Sequence, residues 1–524
     1  MRRIVFCIIL IIWSLVGCED SLNVTPENSL TYENGLTTSQ DFESILNGVD
    51  RALKNNSGGD AMFKSQSHWF KGALVDKWDI PDYGHLMDFP STDILTDNCE
   101  DWSVFYQPIA SLNILLHYID RADISQERKD LYKGQAWFYK ALLYFVLIRY
   151  WGDCILIRDE VELKPIAKTD WDEVADYAID LAQKAADVLP DFDKVKNWKG
   201  VSARYKSTPC RGAANALLAH LCAWKAGGKY FAHNQEYDET GLWKRAEAAC
   251  TRVIGSENGA AAGIYQLAST PEEVCTSVLV GDSRESIYET VFLGFYNEGF
   301  RENMCVELLG DSYSGWPLNP YMGPDSRSLL NLKASTVKAM YPGEDSRKYA
   351  YFYKLDSMSH DTLLPITEGY AYPYKYRNIL IEKNEWGDYT ICGTESNKIW
   401  WRLADIYLLR AECRARLGGS YADGAISDLN EIRKRAGAKL YESSEYGGDL
   451  RYAIFKEREK ELLMEGYRYY DVIRNDYARQ ELEGKYKTAT NQDFIDGAFF
   501  LCIRPYASKN NPLLRQNTYW HRRM

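Results

Sequence analysis

Residues 397–476 read NKIWWRLADIYLLRAECRARLGGSYADGAISDLNEIRKRAGAKLYESSEYGGDLRYAIFKEREKELLMEGYRYYDVIRND. This stretch decides the fold, because helix periodicity, caps and charge pairing agree along it. Trp400, Leu403, Ala404, Tyr407, Leu408, Ala411 and Ala415 recur at helical spacing on one face, while Arg402, Asp405, Glu412 and Arg416 occupy the other, with Glu412 spaced to pair with Arg416. Gly418 and Gly419 stop that helix. Ser420 with Asp423 predicts a capping-box start for a second helix, whose Ala425, Ile426, Leu429, Ile432 and Ala436 form one stripe ended by Gly437. Two short amphipathic helices joined by a few residues make an antiparallel hairpin. Small residues facing aromatics suit a stack of such hairpins, each burying one face on its neighbours. A third helix is expected from Leu450 to about Tyr470, with Arg458, Glu461, Glu465 and Arg468 pairing among themselves on a solvated face.

Similar patterns recur upstream. Thr38 with Asp41 caps a helix striped by Phe42, Ile45, Leu46, Val49 and Leu53, and helices are predicted over Phe105–Arg121 and Arg128–Tyr150, the latter ending at Gly152. Thr169 with Asp172 opens another, bearing Trp171, Val174, Ala178, Leu181, Ala185 and Val188. Arg211–Trp224 stops at Gly227 and Gly228, and Leu242–Ile254 supplies one more. The starts at Trp171, Trp243 and Tyr421 are alike but irregularly spaced, which predicts degenerate tetratricopeptide-like pairs split by insertions. Periodicity fades between Ser256 and Ser396. There Glu285–Leu293 is strand-like, Gly294–Arg327 is a long loop and Asn331–Tyr341 is a candidate helix. The expected fold is mainly α over residues 38–524, a tetratricopeptide-like helical-hairpin scaffold with long loop-rich insertions and a little β structure.

At the N-terminus, Arg2 and Arg3 precede an apolar run from Ile4 to Val16, too short for an ordinary spanning helix but suited to a secretory signal. It closes on Leu15-Val16-Gly17-Cys18, which resembles a bacterial lipobox. That resemblance implies removal of residues 1–17, lipidation of Cys18, and a lipidated N-terminus and flexible tether over 18–37. Removing residues 1–17 takes away Arg2 and Arg3 and no acid, moving the net charge from −12 to −14. Such an acidic chain, without a basic stripe, excludes nucleic acid as a partner on electrostatic grounds. Of twelve cysteines, ten remain after Cys7 and Cys18, with no C-x-x-C pair to indicate a zinc or redox site. Their pairing in an oxidising envelope stays open.

Taken together, residues 397–419, 428–437 and 457–476 resemble the C-terminal signature of the SusD/RagB family of Bacteroidetes outer-membrane nutrient-binding lipoproteins. LYKGQAWFYKALLYFVLIRYWGDCILI at 131–157 resembles a second family stretch, where an Ala- and aromatic-rich helix runs into an aromatic-Gly-Asp turn. Phe499–Asn517 is similar to the family's closing segment, although Arg504 and Ser508-Lys509-Asn510 depart from its pattern. The resemblance implies a lipid-anchored outer-membrane protein facing the cell exterior, which captures an oligosaccharide and passes it to a SusC-like TonB-dependent transporter. Peptide capture, as in the RagB branch, is the alternative it implies.

The sequence carries no enzyme motif. Its seven histidines never approach metal-ligand spacing, and no G-x-S-x-G elbow, Walker loop or dinucleotide fingerprint occurs, so neither a cofactor nor a metal is expected. Carboxylate pairs for glycoside cleavage meet only in a fold, and a hydrolase is the least favoured reading. The aromatic supply is the positive signal: 15 Trp and 38 Tyr, a share of them in loops. Sugar rings have apolar C–H faces that stack on flat aromatics, while their hydroxyls need fixed amide, carboxylate or backbone partners. Two stretches, Trp69–Trp102 and Gly294–Pro324, combine Trp and Tyr with Asn, Asp and Gly, and SusD-like proteins draw ligand contacts from comparable loops. They nominate Trp78, Trp102, Tyr296, Tyr313 and Trp316 as stacking platforms and Asn98 to hold hydroxyls. Tyr296 and Trp316 lead, since Gly294, Gly299, Gly315 and Pro317 disfavour burial on a regular element.

Overall fold

The structure is a computed structural model that describes residues 35–54, 102–159, 164–255, 263–291, 316–323, 332–360, 362–367, 369–394, 396–482, 484–503 and 511–523. Its principal helices are α1 (Ser39–Lys54), α2 (Ser103–Tyr118), α3 (Gln126–Tyr150), α4 (Trp171–Val188), α5 (Arg211–Gly227) and α6 (Glu239–Ile254), followed by α7 (Ala334–Met340), α8 (Leu403–Leu417), α9 (Ala422–Ala436), α10 (Leu450–Glu461) and α11 (Arg468–Arg474). Each of α3, α4 and α5 packs on the next, α6 packs on α8, and α8 packs on α9. The mainly α stack of hairpins is therefore present, with the 256–396 region inserted between α6 and α8. No helix among the described residues is long and apolar enough to cross a membrane.

Local chemistry explains several helix ends. The Thr38 backbone N–H donates to Asp41 Oδ2 at 2.8 Å and the Asp41 N–H returns to Thr38 Oγ1 at 3.4 Å, a reciprocal cap that satisfies two donors at the start of α1. Asp238 and Asp449 cap α6 and α10 in the same sense, each accepting a backbone N–H from three residues on. Helix α3 is buried on nearly every side, which is why its sequence lacks a polar face. After it, Gly152 turns the chain at φ +70°, and a Cβ there would sit 2.5 Å from the Phe500 ring. The aromatic-Gly-Asp turn is thus a packing requirement between α3 and the C-terminal segment.

Among the described residues strands are few and their pairings antiparallel: β1 (Ser286–Thr290) with β6 (Lys398–Arg402), β2 (Leu332–Lys333) with β3 (Tyr370–Ala371), and β4 (Ile379–Lys383) with β5 (Tyr389–Thr394). The strand expected near Glu285–Leu293 and the helix near Asn331–Tyr341 are both found, as β1 and α7. Cys154, Cys210, Cys222, Cys250, Cys275, Cys413 and Cys502 are all buried.

Four expectations for the 397–476 stretch are corrected. Trp400 and Arg402 belong to strand β6, and α8 begins only at Leu403, because β1 supplies backbone partners that no local pattern announces. Tyr421 precedes α9 without a side-chain cap, so Ser420 and Asp423 form no capping box. The predicted third helix is two, α10 and α11, separated by left-handed backbone at Met464 (φ +66°) and Gly466 (φ +81°). Finally, its charged face is not solvated: Arg458 and Glu461 are 0% exposed, Arg468 6% and Glu465 7%.

Those charges pair across the fold rather than along one helix. Arg402 meets Glu285 at 2.7 Å, Glu461 at 2.8 Å and Glu465 at 2.7 Å. Arg347 meets Asp345 at 2.7 Å and Glu457 at 2.6 Å, and Lys375 meets Glu465 at 2.6 Å. Glu412 turns to Arg474 at 2.7 Å instead of Arg416, which donates to Asn475 at 2.7 Å. A buried charge persists only where opposite charges and hydrogen bonds replace its water, so this lattice fixes the insertion to the hairpin stack.

The packed stripe of α8 gives a direct test. Ala411 is 0% exposed in a cluster with Leu408, Ala425, Leu429, Ile432 and Ile454. Ala411→Trp is expected to overpack this hairpin and cost roughly 1–3 kcal/mol or more. An unchanged denaturation midpoint would contradict that packing.

Candidate functional site

The described part of the insertion packs Trp316 among tyrosines and stacks Tyr321 on Tyr389. The chain runs side by side at Tyr351–Tyr353 and Tyr372–Tyr374, held by Tyr353 N–H to Tyr372 O at 2.9 Å and Tyr374 N–H to Tyr351 O at 2.8 Å. At the foot of this ladder the Lys375 ammonium donates to Glu461 O, Leu463 O and Glu465, so the buried charge lattice sets where the tyrosines stand. Trp316 packs perpendicular to both Tyr353 and Tyr372, each at 5.3 Å and 87°, and stays half-exposed. Tyr374 lies beside Tyr353 at 5.2 Å with the Arg377 guanidinium 4.4 Å over its ring.

Beyond Trp316, the buried Asn319 pins the segment to the β4–β5 hairpin. Its Nδ2 donates to Tyr389 O at 2.8 Å, while its Oδ1 accepts the Tyr321 N–H at 3.1 Å. That double contact lays Tyr321 flat on Tyr389, with ring centroids 3.6 Å apart and planes 10° apart. Each ring spends one face on the other, and Tyr321, 63% exposed, presents its remaining face to solvent. At the hairpin tip Asn384 Oδ1 accepts the N–H groups of Trp386 and Asp388, which holds Trp386 outward at 87% exposure. Flat aromatic faces beside amide and backbone groups are the arrangement that receives C–H faces and hydroxyls together.

Of the nominated residues, Trp316 is the one packed with the tyrosines of the insertion. Trp102 does not join it: at 4% exposure it packs against Tyr106 at 5.9 Å and Trp151 at 6.2 Å, closing the start of α2 over the core, and that burial withdraws it as a stacking platform. Cys18, Trp78, Asn98, Tyr296 and Tyr313 lie outside the described residues. Sequence reasoning missed Asn319, Tyr321, Tyr389 and Trp386. Trp386 had a local signal, since Asn384, Gly387 and Asp388 around it are turn residues; Tyr389 had none, because its role depends on Tyr321 meeting it across the fold.

One trio, Asp153, Asp170 and His233, brings potential metal-ligating atoms within 4.8 Å of one another. His233 already faces Asp153 at 3.5 Å, a hydrogen bond that raises the imidazole above its ordinary pKa, and Lys168 adds a further positive charge beside Asp153. An ion-paired cluster accounts for the trio.

The family model described as SusD family matches residues 311–520, and the model described as "Starch-binding associating with outer membrane" matches residues 22–222. The chain belongs to the SusD/RagB family. It is 24% identical over 512 residues to SusD-like protein P25 of Formosa agariphila, covering 89% of this chain and 88% of that one. Among solved structures it is similar to a SusD homolog from Bacteroides thetaiotaomicron, with a TM-score of 0.71, 24% identity, and coverage of 92% of this chain and 98% of that one. A laminarin binding SusD-like protein also matches, with a TM-score of 0.61, 20% identity, and coverage of 92% and 99%.

Proposed function

We propose that this protein is a non-catalytic cell-surface lipoprotein that binds an oligosaccharide and delivers it to a SusC-like TonB-dependent outer-membrane transporter. The observation that carries the reading is the aromatic group itself: the half-exposed Trp316 and the open face of the Tyr321–Tyr389 stack stand on an insertion braced by buried charges. Support comes from the relative described as laminarin binding and from the family description of starch binding at the outer membrane. The lipobox-like Leu15-Val16-Gly17-Cys18 supports anchoring through Cys18, with the protein facing the cell exterior. Cys18→Ala is expected to leave the protein soluble or retained with its signal uncleaved, and continued lipid labelling of that variant would contradict the anchor.

A glycan array probed with wild-type protein tests the ligand class, and Trp316→Ala tests the site. Loss of this platform is expected to weaken binding of the glycan found by several-fold, about 1 kcal/mol, while the thermal midpoint moves little because the ring is only half-buried. Unchanged affinity, or an unfolded variant, would make Trp316 a packing residue. Binding of peptides but no glycan would favour the RagB-type reading, and release of product from a bound glycan would make the protein a hydrolase.

A further inference from the structure

A groove of about 340 Å³ lies between α1, α3 and the segment Val195–Pro209, on different elements from the aromatic group. Its walls are built at helical spacing. Glu43, Asn47 and Asp50 face it from α1, and Leu131, Gln135 and Tyr139 face it from α3, one turn apart in each case. The third wall is fixed rather than loose: the Arg128 guanidinium donates to Lys196 O at 2.6 Å and Asn197 O at 2.7 Å, and Ala203 N–H returns to Val195 O at 2.8 Å.

The Gln135 amide is the informative group. It is only 6% exposed, it lines the groove, and it has no hydrogen-bond partner among the described residues. With no protein partner and a place on the groove wall, the amide keeps its donor and acceptor capacity open to a group that enters there. The charged residues around it, Glu43 and Asp50 against Lys196 and Arg204, sum to zero, which gives no preference for an anion or a cation. Leu46, Val195 and Pro209 add apolar wall beside these polar groups. The volume is at the small end for ligand sites, which run from about 300 to 1,000 Å³.

We infer that this groove is a second ligand site, which takes a neutral, hydroxyl-rich group the size of a single sugar ring, with Gln135 hydrogen-bonding its hydroxyls. The inference stands on the groove and its unpartnered amide and is independent of the Trp316 site. It is tested on the full protein by saturation-transfer NMR with glucose, galactose, mannose and N-acetylglucosamine, in wild type, Gln135→Leu and Trp316→Ala. At least one of the four sugars is expected to bind at millimolar concentration, with Gln135→Leu weakening it about tenfold and Trp316→Ala leaving it unchanged. The thermal midpoint of unliganded Gln135→Leu is expected to stay close to that of wild type, because the amide makes no hydrogen bond to a described residue. No binding by any of the four sugars, weakening by Trp316→Ala alone, or a lowered midpoint in Gln135→Leu would each overturn the second site.

Discussion

Arg402→Met is expected to destabilise the protein by on the order of 3–5 kcal/mol, because it leaves buried carboxylates without their main counter-charge. Arg402 is 0% exposed and contacts Glu285, Glu461 and Glu465, of which the first two are at most 1% exposed. Arg347, Arg435 and Lys375 remain nearby, yet each is committed to the same carboxylates or to their neighbours. Adding Glu465→Gln to Arg402→Met is expected to recover part of the loss by removing one of the stranded charges, a coupling that a double-mutant cycle measures in denaturant midpoints. Because Lys375 shares Glu465 and supports the Tyr372–Tyr374 ladder, glycan affinity at Trp316 should fall along with stability. A loss below about 1 kcal/mol would mean that these pairs behave like exposed surface pairs.

Acid is expected to unfold the protein through the same lattice. Burial alone would raise Glu412 and Glu457, but Arg474 brings Glu412 down to about 2 and Arg347 brings Glu457 down to about 2. Burial would likewise raise Asp405, Glu461 and Glu465, and their neighbours hold all three below the usual carboxylate range: His220 and Arg458 beside Asp405, Arg435 and Arg402 beside Glu461, and Arg402 and Lys375 beside Glu465. A carboxylate whose folded pKa is depressed stabilises the fold above its unfolded value and loses that contribution as pH falls toward the folded one. The unfolded chain binds these protons first, so stability drops between about pH 5 and about pH 2. His220 adds to the trend, since burial lowers its pKa while Asp405 accepts its Nε2–H at 2.7 Å, and an unfolded imidazole gains its proton near pH 6.5. Glu289 and Asp428, which burial pushes up, act in the opposite sense and offset part of the fall. Thermal midpoints followed from neutral pH downward check this, and a flat profile to about pH 3 would contradict it.

The helical scaffold was legible because its cause is local. The apolar stripe of α1, its Thr38–Asp41 cap, and the glycine stop after α8 act within a few residues of where they stand in the chain. The candidate site was legible only in part. Gly315 and Pro317 marked Trp316 as lying off any regular element, but the same composition around Trp102 gave no warning that Trp151, far along the chain, would cover it. Asn319, Tyr321 and Tyr389 acquire their meaning from one another across the β4–β5 hairpin.

The charged face of α10 draws the line most clearly. Its spacing is compatible with self-pairing in water and with burial against distant partners alike, since i,i+3 and i,i+4 geometry is the same in both. By itself the sequence determined helix identity, order and family, all of which follow from periodicity, caps and signature residues. Only the tertiary structure decided that Arg402, Arg458 and Glu461 lie inside, that α10 and α11 are separate, and which aromatics face solvent. Burial of a charge or a ring depends on what the rest of the chain brings to it, and contacts between segments more than a hundred residues apart, such as Arg402 with Glu285, leave no local pattern to read.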